Sequence, residues 1–361
     1  MNILFRVDAS NIIGTGHVYR CLNFADLYSK NNNIYFITKK HLFNLNEKIK
    51  EKYTCFELEI ENIDNINLNI DTWLGESELN DVKKTISVIE KNKLEIDWII
   101  IDHYGINEVW ENEIKKYVKK ICVIDDFINR KHNCNILINQ QIREEEKIKY
   151  KDIINKECKI CVGNDYLILN SKYYEMEIKK EIKNLRRINI FMGGSDNDNI
   201  TNEIIDICNE FIIKNELNII VDVIIGKSNK NFKKIENKLN NLKNFNYYYD
   251  IKFIGNLLLE ADLAIGSPGT TSYERVITCT PSLMICIAYN QKTVIKKFIE
   301  SGTSKYIGEI DDKENDYKKE LKRNLNEINK NYEELINMSN RCKKFINLKE
   351  NKIKLILDKV F

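Results

Sequence analysis

Short apolar runs rich in Ile and Val recur along the chain, each ending in polar residues and followed by a stretch of helical periodicity. The first are "NILFRV", a helix over about 17–30, "NIYFITK", "DWIIID", "KICVID" and "NILIN". Runs that are apolar on both faces and alternate with helices predict a parallel sheet covered on both sides. The pattern restarts at about 187 with "RINIFMGG", a helix over about 200–214, "NIIVDVIIG", a further helix, "FNYYY", "DLAIG", a helix over about 271–279 and "PSLMICIA". Between the two series, "NSKYYEMEIKKEIKNLR" is rich in Lys and Glu and carries no strand signal, which predicts a linker helix or hinge. The fold class is therefore α/β: two Rossmann-like doubly wound domains, 1–170 and 187–310, joined by a linker over 171–186 and facing a cleft. Beyond 310, Leu321, Leu325, Ile328, Tyr332 and Leu335 recur at helical spacing, so 311–361 is predicted to be a charged helical tail whose apolar stripe packs on the body.

Composition agrees with two domains, because 361 residues exceed the roughly 250–300 at which one core stops growing. A net charge of +2 provides no field for nucleic acid or a membrane surface. The opening "MNILFRVD" is interrupted by Arg6 and Asp8 and does not read as a signal peptide. No apolar run approaches the roughly 18 residues needed to span a bilayer. These features predict a cytoplasmic protein, taken as a monomer, with neither nucleic-acid nor membrane partners. The ten cysteines fall mostly within apolar segments, where a thiol behaves as a small hydrophobe. Cys158 and Cys161 have metal-ligand spacing, but "CKICVG" has no second pair and no nearby histidine. A zinc site needs four ligands, so no metal and no cofactor are expected.

Candidate chemistry lies where strands end. In "FRVDASNIIGTGHVYRC" a strand leads through Gly14 and Gly16 into a helix, so backbone amides can approach an anion at the helix start. The third glycine of the dinucleotide fingerprint is missing and no GxxxxGK[ST] occurs, which argues against NAD and P-loop chemistry. His17 lies in the first helical turn, where an imidazolium is disfavoured and a neutral ring can take a proton from water. It can equally cap the turn or bind phosphate. "IIIDHYG" and "VIDD" bring Asp102, His103, Tyr104, Asp125 and Asp126 to other strand ends, where acids can orient an imidazole, ligate magnesium or bind sugar hydroxyls, or cap the next helix. In the second half, "FMGGSDNDNIT" leads through Gly193 and Gly194 towards a helix. "AIGSPGTTSYERV" then offers Ser267, Gly269, Thr270, Thr271 and Ser272 at a helix start suited to a pyrophosphate. Glu274, one turn in, can accept both hydroxyls of a ribose or act as a capping-box carboxylate.

Taken in order, "FRVDASNIIGTGHVYRCL", "WIIIDHYG", "VIDD", "MGGSDNDNIT", "IGSPGTTSYE" and "AYNQ" resemble the UDP-2,4-diacetamido-2,4,6-trideoxy-β-L-altropyranose hydrolases of pseudaminic acid biosynthesis, over residues 3 to about 308. The resemblance implies the two-domain GT-B fold and metal-free hydrolysis between the sugar's anomeric carbon and UDP. It makes His17 the base that activates water. It places Arg6, Asp8, Tyr104 and Asn290 around the sugar or catalytic pocket and Gln291 in the substrate site. Gly14 and Gly16 join Ser267, Gly269, Thr270, Thr271 and Ser272 around the diphosphate, with Gly194 also at UDP, Glu274 on the ribose and uracil near "DIKFIGN". Asn170 and Lys172 stand where the family has arginine and glutamate, and Gln141 where it has asparagine. Two other readings share the donor half: a glycosyltransferase of the same fold, which calls for an apolar and basic acceptor patch not concentrated in 1–150, and a non-catalytic nucleotide-sugar-binding protein.

Overall fold

The structure is a computed structural model and describes residues 1–61, 66–67, 69–141, 144–178, 181–287, 291–310, 312, 316–346 and 351–358. The chain divides into two compact units, Met1–Tyr174 with Lys349–Phe361, and Glu175–Leu348.

The first unit holds strands β1 (Asn2–Val7), β2 (Asn33–Lys39), β3 (Thr54–Leu58), β4 (Ile96–Asp102), β5 (Val118–Ile124), β6 (Ile136–Asn139) and β7 (Lys159–Val162). They pair in parallel throughout, in the order β3-β2-β1-β4-β5-β6-β7. Helices α1 (Gly16–Tyr28), α2 (Asn46–Lys50), α3 (Glu78–Lys91) and α4 (Glu108–Ile114) fill the connections. Because side chains alternate along a strand, β1 feeds two cores. Ile3, Phe5 and Val7 join α1 residues Val18, Cys21 and Phe24 on one face, while Leu4 joins Val82, Ile89 and Trp110 on the other. That two-sided burial explains why the strands read as continuous apolar runs.

The second unit repeats the plan with β8 (Arg187–Phe191), β9 (Ile220–Ile225), β10 (Phe245–Tyr249), β11 (Leu263–Gly266), β12 (Ser282–Cys286) and β13 (Ser304–Glu309), parallel and ordered β10-β9-β8-β11-β12-β13. Its helices are α5 (Ile200–Lys214), α6 (Phe232–Leu239), α7 (Gly255–Glu260), α8 (Thr270–Ile277), α9 (Gln291–Glu300), α10 (Tyr317–Lys330) and α11 (Glu333–Phe345). In both sheets the order reverses at one point, between β1 and β4 and between β8 and β11, which is where doubly wound sheets hold ligands.

Two expectations change. The described residues of 175–186 form no helix; Ile182 and Leu185 instead bury in the second unit's core, anchoring the segment by packing. The single amphipathic helix expected beyond 310 is two, because Asn331 takes an extended conformation (φ −148°) between α10 and α11. Leu321, Leu325, Ile328 and Leu335 still bury together. Residues 351–358 return to the first unit, where Ile353, Ile356 and Leu357 join the α1 side of the core.

Candidate active site

Strand β1 ends in a compact turn. Ser10 Oγ accepts from the amides of Ile12 (3.1 Å) and Ile13 (3.0 Å), and its carbonyl accepts from Gly14 N (2.8 Å). Gly14 has φ +82°, a conformation in which a side chain is strained. Helix α1 then begins at the exposed Gly16 and carries His17 in its first turn.

His17 Nδ1 lies 2.7 Å from Asp102 Oδ1, at the end of neighbouring strand β4. An ionised carboxylate only accepts, so Nδ1 carries the proton, and in the uncharged ring the lone pair is on Nε2. Asp102 is sealed from solvent, and Arg20, one turn beyond His17, grips it: Nε donates to Oδ2 at 2.8 Å and Nη2 to Oδ1 at 2.7 Å. Burial raises the Asp102 carboxyl, but Arg20 and then His17 outweigh it and hold it below the usual carboxylate range. Arg20 Nη1 also donates to Asp126 Oδ2 at 2.7 Å, and the same oxygen accepts from the Tyr104 hydroxyl at 2.6 Å. Burial and the Asp126 charge push the Tyr104 phenol far up, so it remains a donor.

An aromatic wall stands beside the imidazole. The Tyr104 ring meets His17 edge to face at 4.5 Å, stacks on Trp73 at 5.7 Å and contacts Phe127 at 4.8 Å, with the Arg130 guanidinium 5.2 Å from its centre. The His17 side chain is 11% exposed and Phe127 37%, so this wall is reached from solvent. The loop carrying Asp126 and Phe127 is tied from beneath. Asp125 accepts from Phe127 N (2.9 Å), Arg130 Nη2 (2.6 Å) and His132 Nε2 (2.9 Å), while His132 Nδ1 faces Glu111 at 2.6 Å. Burial lowers His132, but the two carboxylates win and push it up to about 9, so it is an imidazolium at neutral pH.

Arg6 and Asp8, expected around the sugar, lie instead in a sealed charge network. Arg6 pairs with Asp8 (2.8 Å) and Asp81 (2.7 Å); Lys39 pairs with Asp81 (3.0 Å) and Glu76 (2.6 Å); all these side chains are 1% exposed or less. Trp110 Nε1 donates to Asp81 at 2.8 Å. His103 accepts from Gly105 N at Nδ1 (3.1 Å), so Nε2 carries the proton and faces Asp8 Oδ2 at 3.3 Å. Burial pulls His103 down to about 4, leaving it a neutral donor. This network braces the β1 end from below, and α3 supplies its Asp81.

In the second unit, the "MGG" and "SPGTTS" turns follow β8 and β11. Gly193 has φ +101°, and Gly194 has open space where a side chain would stand. Asp196 accepts from Ile200 N (2.9 Å) and Thr201 N (3.0 Å) at the start of α5. Ser267 Oγ donates to Met192 O at 3.1 Å, joining the two turns. Ser272 is buried, and its hydroxyl accepts from Gly269 N at 3.1 Å, so the turn is closed by Ser272 rather than by Glu274 as a capping carboxylate. Thr270 is exposed, and Thr271 and Glu274 are half-buried. Gln291 opens α9, with Oε1 accepting from Ile287 N at 2.9 Å. Asn290 lies outside the described residues.

The structure thus brings His17, Gly14, Gly16 and Tyr104 together and withdraws Arg6 and Asp8. Arg20 had a signal, lying three residues after His17 on the same helix face. Trp73 and Phe127 had none, since each is an isolated aromatic in a connection. Among the described residues no group of three or more His, Cys, Asp or Glu side chains could hold a metal ion, and no helix is long and apolar enough to cross a membrane.

No protein-family model matches the chain. It is 28% identical over 305 residues to the UDP-2,4-diacetamido-2,4,6-trideoxy-β-L-altropyranose hydrolase of Campylobacter jejuni, covering 84% of this chain and 97% of that protein. It is 29% identical over 301 residues to an uncharacterised protein of Methanocaldococcus jannaschii, covering 79% of this chain and only 55% of that protein. Among solved structures, MurG of Acinetobacter baumannii matches over 99% of this chain and 98% of its own, with a TM-score of 0.64 at 10% identity. Two doubly wound units matching such neighbours from end to end make the fold GT-B.

Proposed function

We propose that the protein is a nucleotide-sugar hydrolase that splits UDP-2,4-diacetamido-2,4,6-trideoxy-β-L-altropyranose, the substrate in the name of its Campylobacter relative, into UDP and the free sugar. The observation that carries the catalytic part is the 2.7 Å contact between His17 and Asp102. With Nδ1–H directed at Asp102, Nε2 takes a proton from water as the oxygen attacks the anomeric carbon. The bond from that carbon to the diphosphate oxygen breaks, and UDP leaves with the electron pair. The buried Asp102 carboxylate stabilises the imidazolium that forms, a role such an acid fills without itself taking the proton. The base lies in the first unit, and the "MGG" and "SPGTTS" turns of the second are read as the nucleotide handle. In this reading amides at the start of α8 stabilise the developing negative charge, and Glu274 takes the ribose hydroxyls.

The experiment is UDP release from a panel of UDP-sugars in the presence of a chelator, with the altro-configured diacetamido sugar included. Expected are turnover of that sugar without any acceptor, loss of turnover in His17→Ala, and nearly unchanged UDP affinity in that variant, since the lost interaction belongs to the transition state. Strict dependence on an added acceptor would make the protein a glycosyltransferase. Unchanged turnover in His17→Ala would remove the base.

A further inference from the structure

Among the described residues three arginines are nearly or wholly sealed from solvent, and two are paired in the usual way: Arg6 with Asp8 and Asp81, Arg20 with Asp102 and Asp126. Arg275, on α8, is 0% exposed and has carbonyls where the others have carboxylates. Its Nη1 donates to Ser267 O at 3.1 Å and its Nη2 to Phe191 O at 3.0 Å, while Nε has no hydrogen-bond partner. A guanidinium keeps its proton under all ordinary conditions, so an interior one without a counter-ion stands as a costly net charge. Burial, opposed only by the charge of Glu274, pulls Arg275 down to about 10, whereas carboxylates overcome burial and push Arg6 and Arg20 up.

Its position gives that charge a use. Phe191 ends β8 and Ser267 directly follows β11, the two strands that flank the switch point of the second sheet. Gly266 leaves the room: a Cβ there would overlap both the guanidinium and the Phe191 carbonyl. The side chain therefore fixes the departure of both turns from beneath. Its field acts from a low-dielectric interior, where charge is poorly screened.

Resting on the reading of these turns as the diphosphate site, we propose that Arg275 is a positioning residue and the buried counter-charge of the diphosphate, acting through the strand-end carbonyls it holds rather than by touching the ligand. The guanidinium, which bonds carbonyls alone and has only the charge of Glu274 to oppose it, is then balanced when the nucleotide binds, and the turn amides are already in place to receive it.

The test is calorimetric titration of UDP and inorganic pyrophosphate, with uridine followed by ligand-observed NMR, on the wild type, R275K and R275M. Expected is a ranking of wild type, then R275K, then R275M for UDP and pyrophosphate, with a loss of about 10-fold or more in R275M, and uridine binding within twofold throughout. Equal losses for uridine and UDP would mean that Arg275 only holds the fold, and would overturn the proposal. So would unchanged UDP affinity, or an R275M no weaker than R275K. Should R275M fail to fold, R275K alone must still lose pyrophosphate selectively, and its failure to do so is equally fatal. A wild type that binds neither UDP nor pyrophosphate overturns the hydrolase reading as well, whereas a wild type that binds both, with no phosphate-selective loss in the variants, removes only the role of Arg275.

Discussion

Asp102 takes hydrogen bonds from His17 and Arg20 at once, so its negative charge is spoken for before any substrate arrives. Asp102→Asn keeps the shape but offers an amide that can donate to Nδ1, which favours the tautomer with Nε2 protonated and useless as a base. It also strips Arg20 of a partner. The expected outcome is a kcat at least about 100-fold lower with KM changed only a few-fold, read from steady-state UDP release. Arg6 is expected to behave differently. Removing it by Arg6→Met strands Asp8 without its cation and leaves Asp81 only its second cation, Lys39, and breaking a buried pair in this way costs about 3–5 kcal/mol. Denaturant unfolding should show that loss; a variant of native stability with a raised KM would restore Arg6 to direct sugar contact. Both residues look alike in the sequence, polar groups at a strand end. What separates them is Asp81, 75 residues away from Arg6 on a helix with no motif of its own, and nothing in the local pattern announces that pairing.

The elements around the site differ in how openly the chain declares them. Central strands are legible because burial on both faces writes an unbroken apolar run. The edges β3 and β13 are not, since "TCFEL" and "SKYIGE" mix polar residues into half-buried positions. The loop after β5 could be read only as far as its acids, because no helix or strand joins His132, which ties it down, to Asp125, so the seven-residue interval between them carries no signal. That histidine carries a pH signature. Its folded value, near 9, lies above the ordinary 6.5, so the folded state holds a proton that the unfolded chain releases first. The resulting stability is fully present below about 6.5 and is lost as pH rises towards 9, with each tenfold difference in proton affinity between the folded and unfolded chain worth about 1.4 kcal/mol. Thermal melts from pH 6 to 9.5 should show the wild type declining across this window. A His132→Gln variant should be less stable at pH 6.5 and should lack that part of the slope; parallel profiles would place the proton elsewhere.

At the scale of the whole molecule, the same strand order is built twice, and the chain then comes back to its beginning. Residues 351–358 rejoin the unit that starts with Met1. Asn351 and Lys352 bond Leu167 O (3.1 Å) and Asp165 (2.7 Å) at the rim, and inside, the Tyr28 hydroxyl donates to Ile353 O at 3.0 Å and accepts from Leu357 N at 3.1 Å. Ile353, Ile356 and Leu357 lie 0–2% exposed around it, so no solvent stands ready to replace the hydroxyl. Tyr28→Phe keeps the ring but leaves the buried Leu357 amide without its partner and the Ile353 carbonyl with only the 3.3 Å bond from Ile356 N, and a buried group left unpaired costs about 1–3 kcal/mol. The returning segment has no strand or long helix of its own to hold it, so it should detach before the sheet opens. Hydrogen exchange is expected to show the amide of Leu357 losing protection in Tyr28→Phe, with β1 weakened only slightly and the strands of the second unit unchanged. Retained protection at Leu357 would mean that the apolar side chains and the Asn351 and Lys352 bonds hold the segment without the Tyr28 hydroxyl. A uniform loss across both units would mean that the return contributes to the stability of the whole chain rather than to the unit it joins.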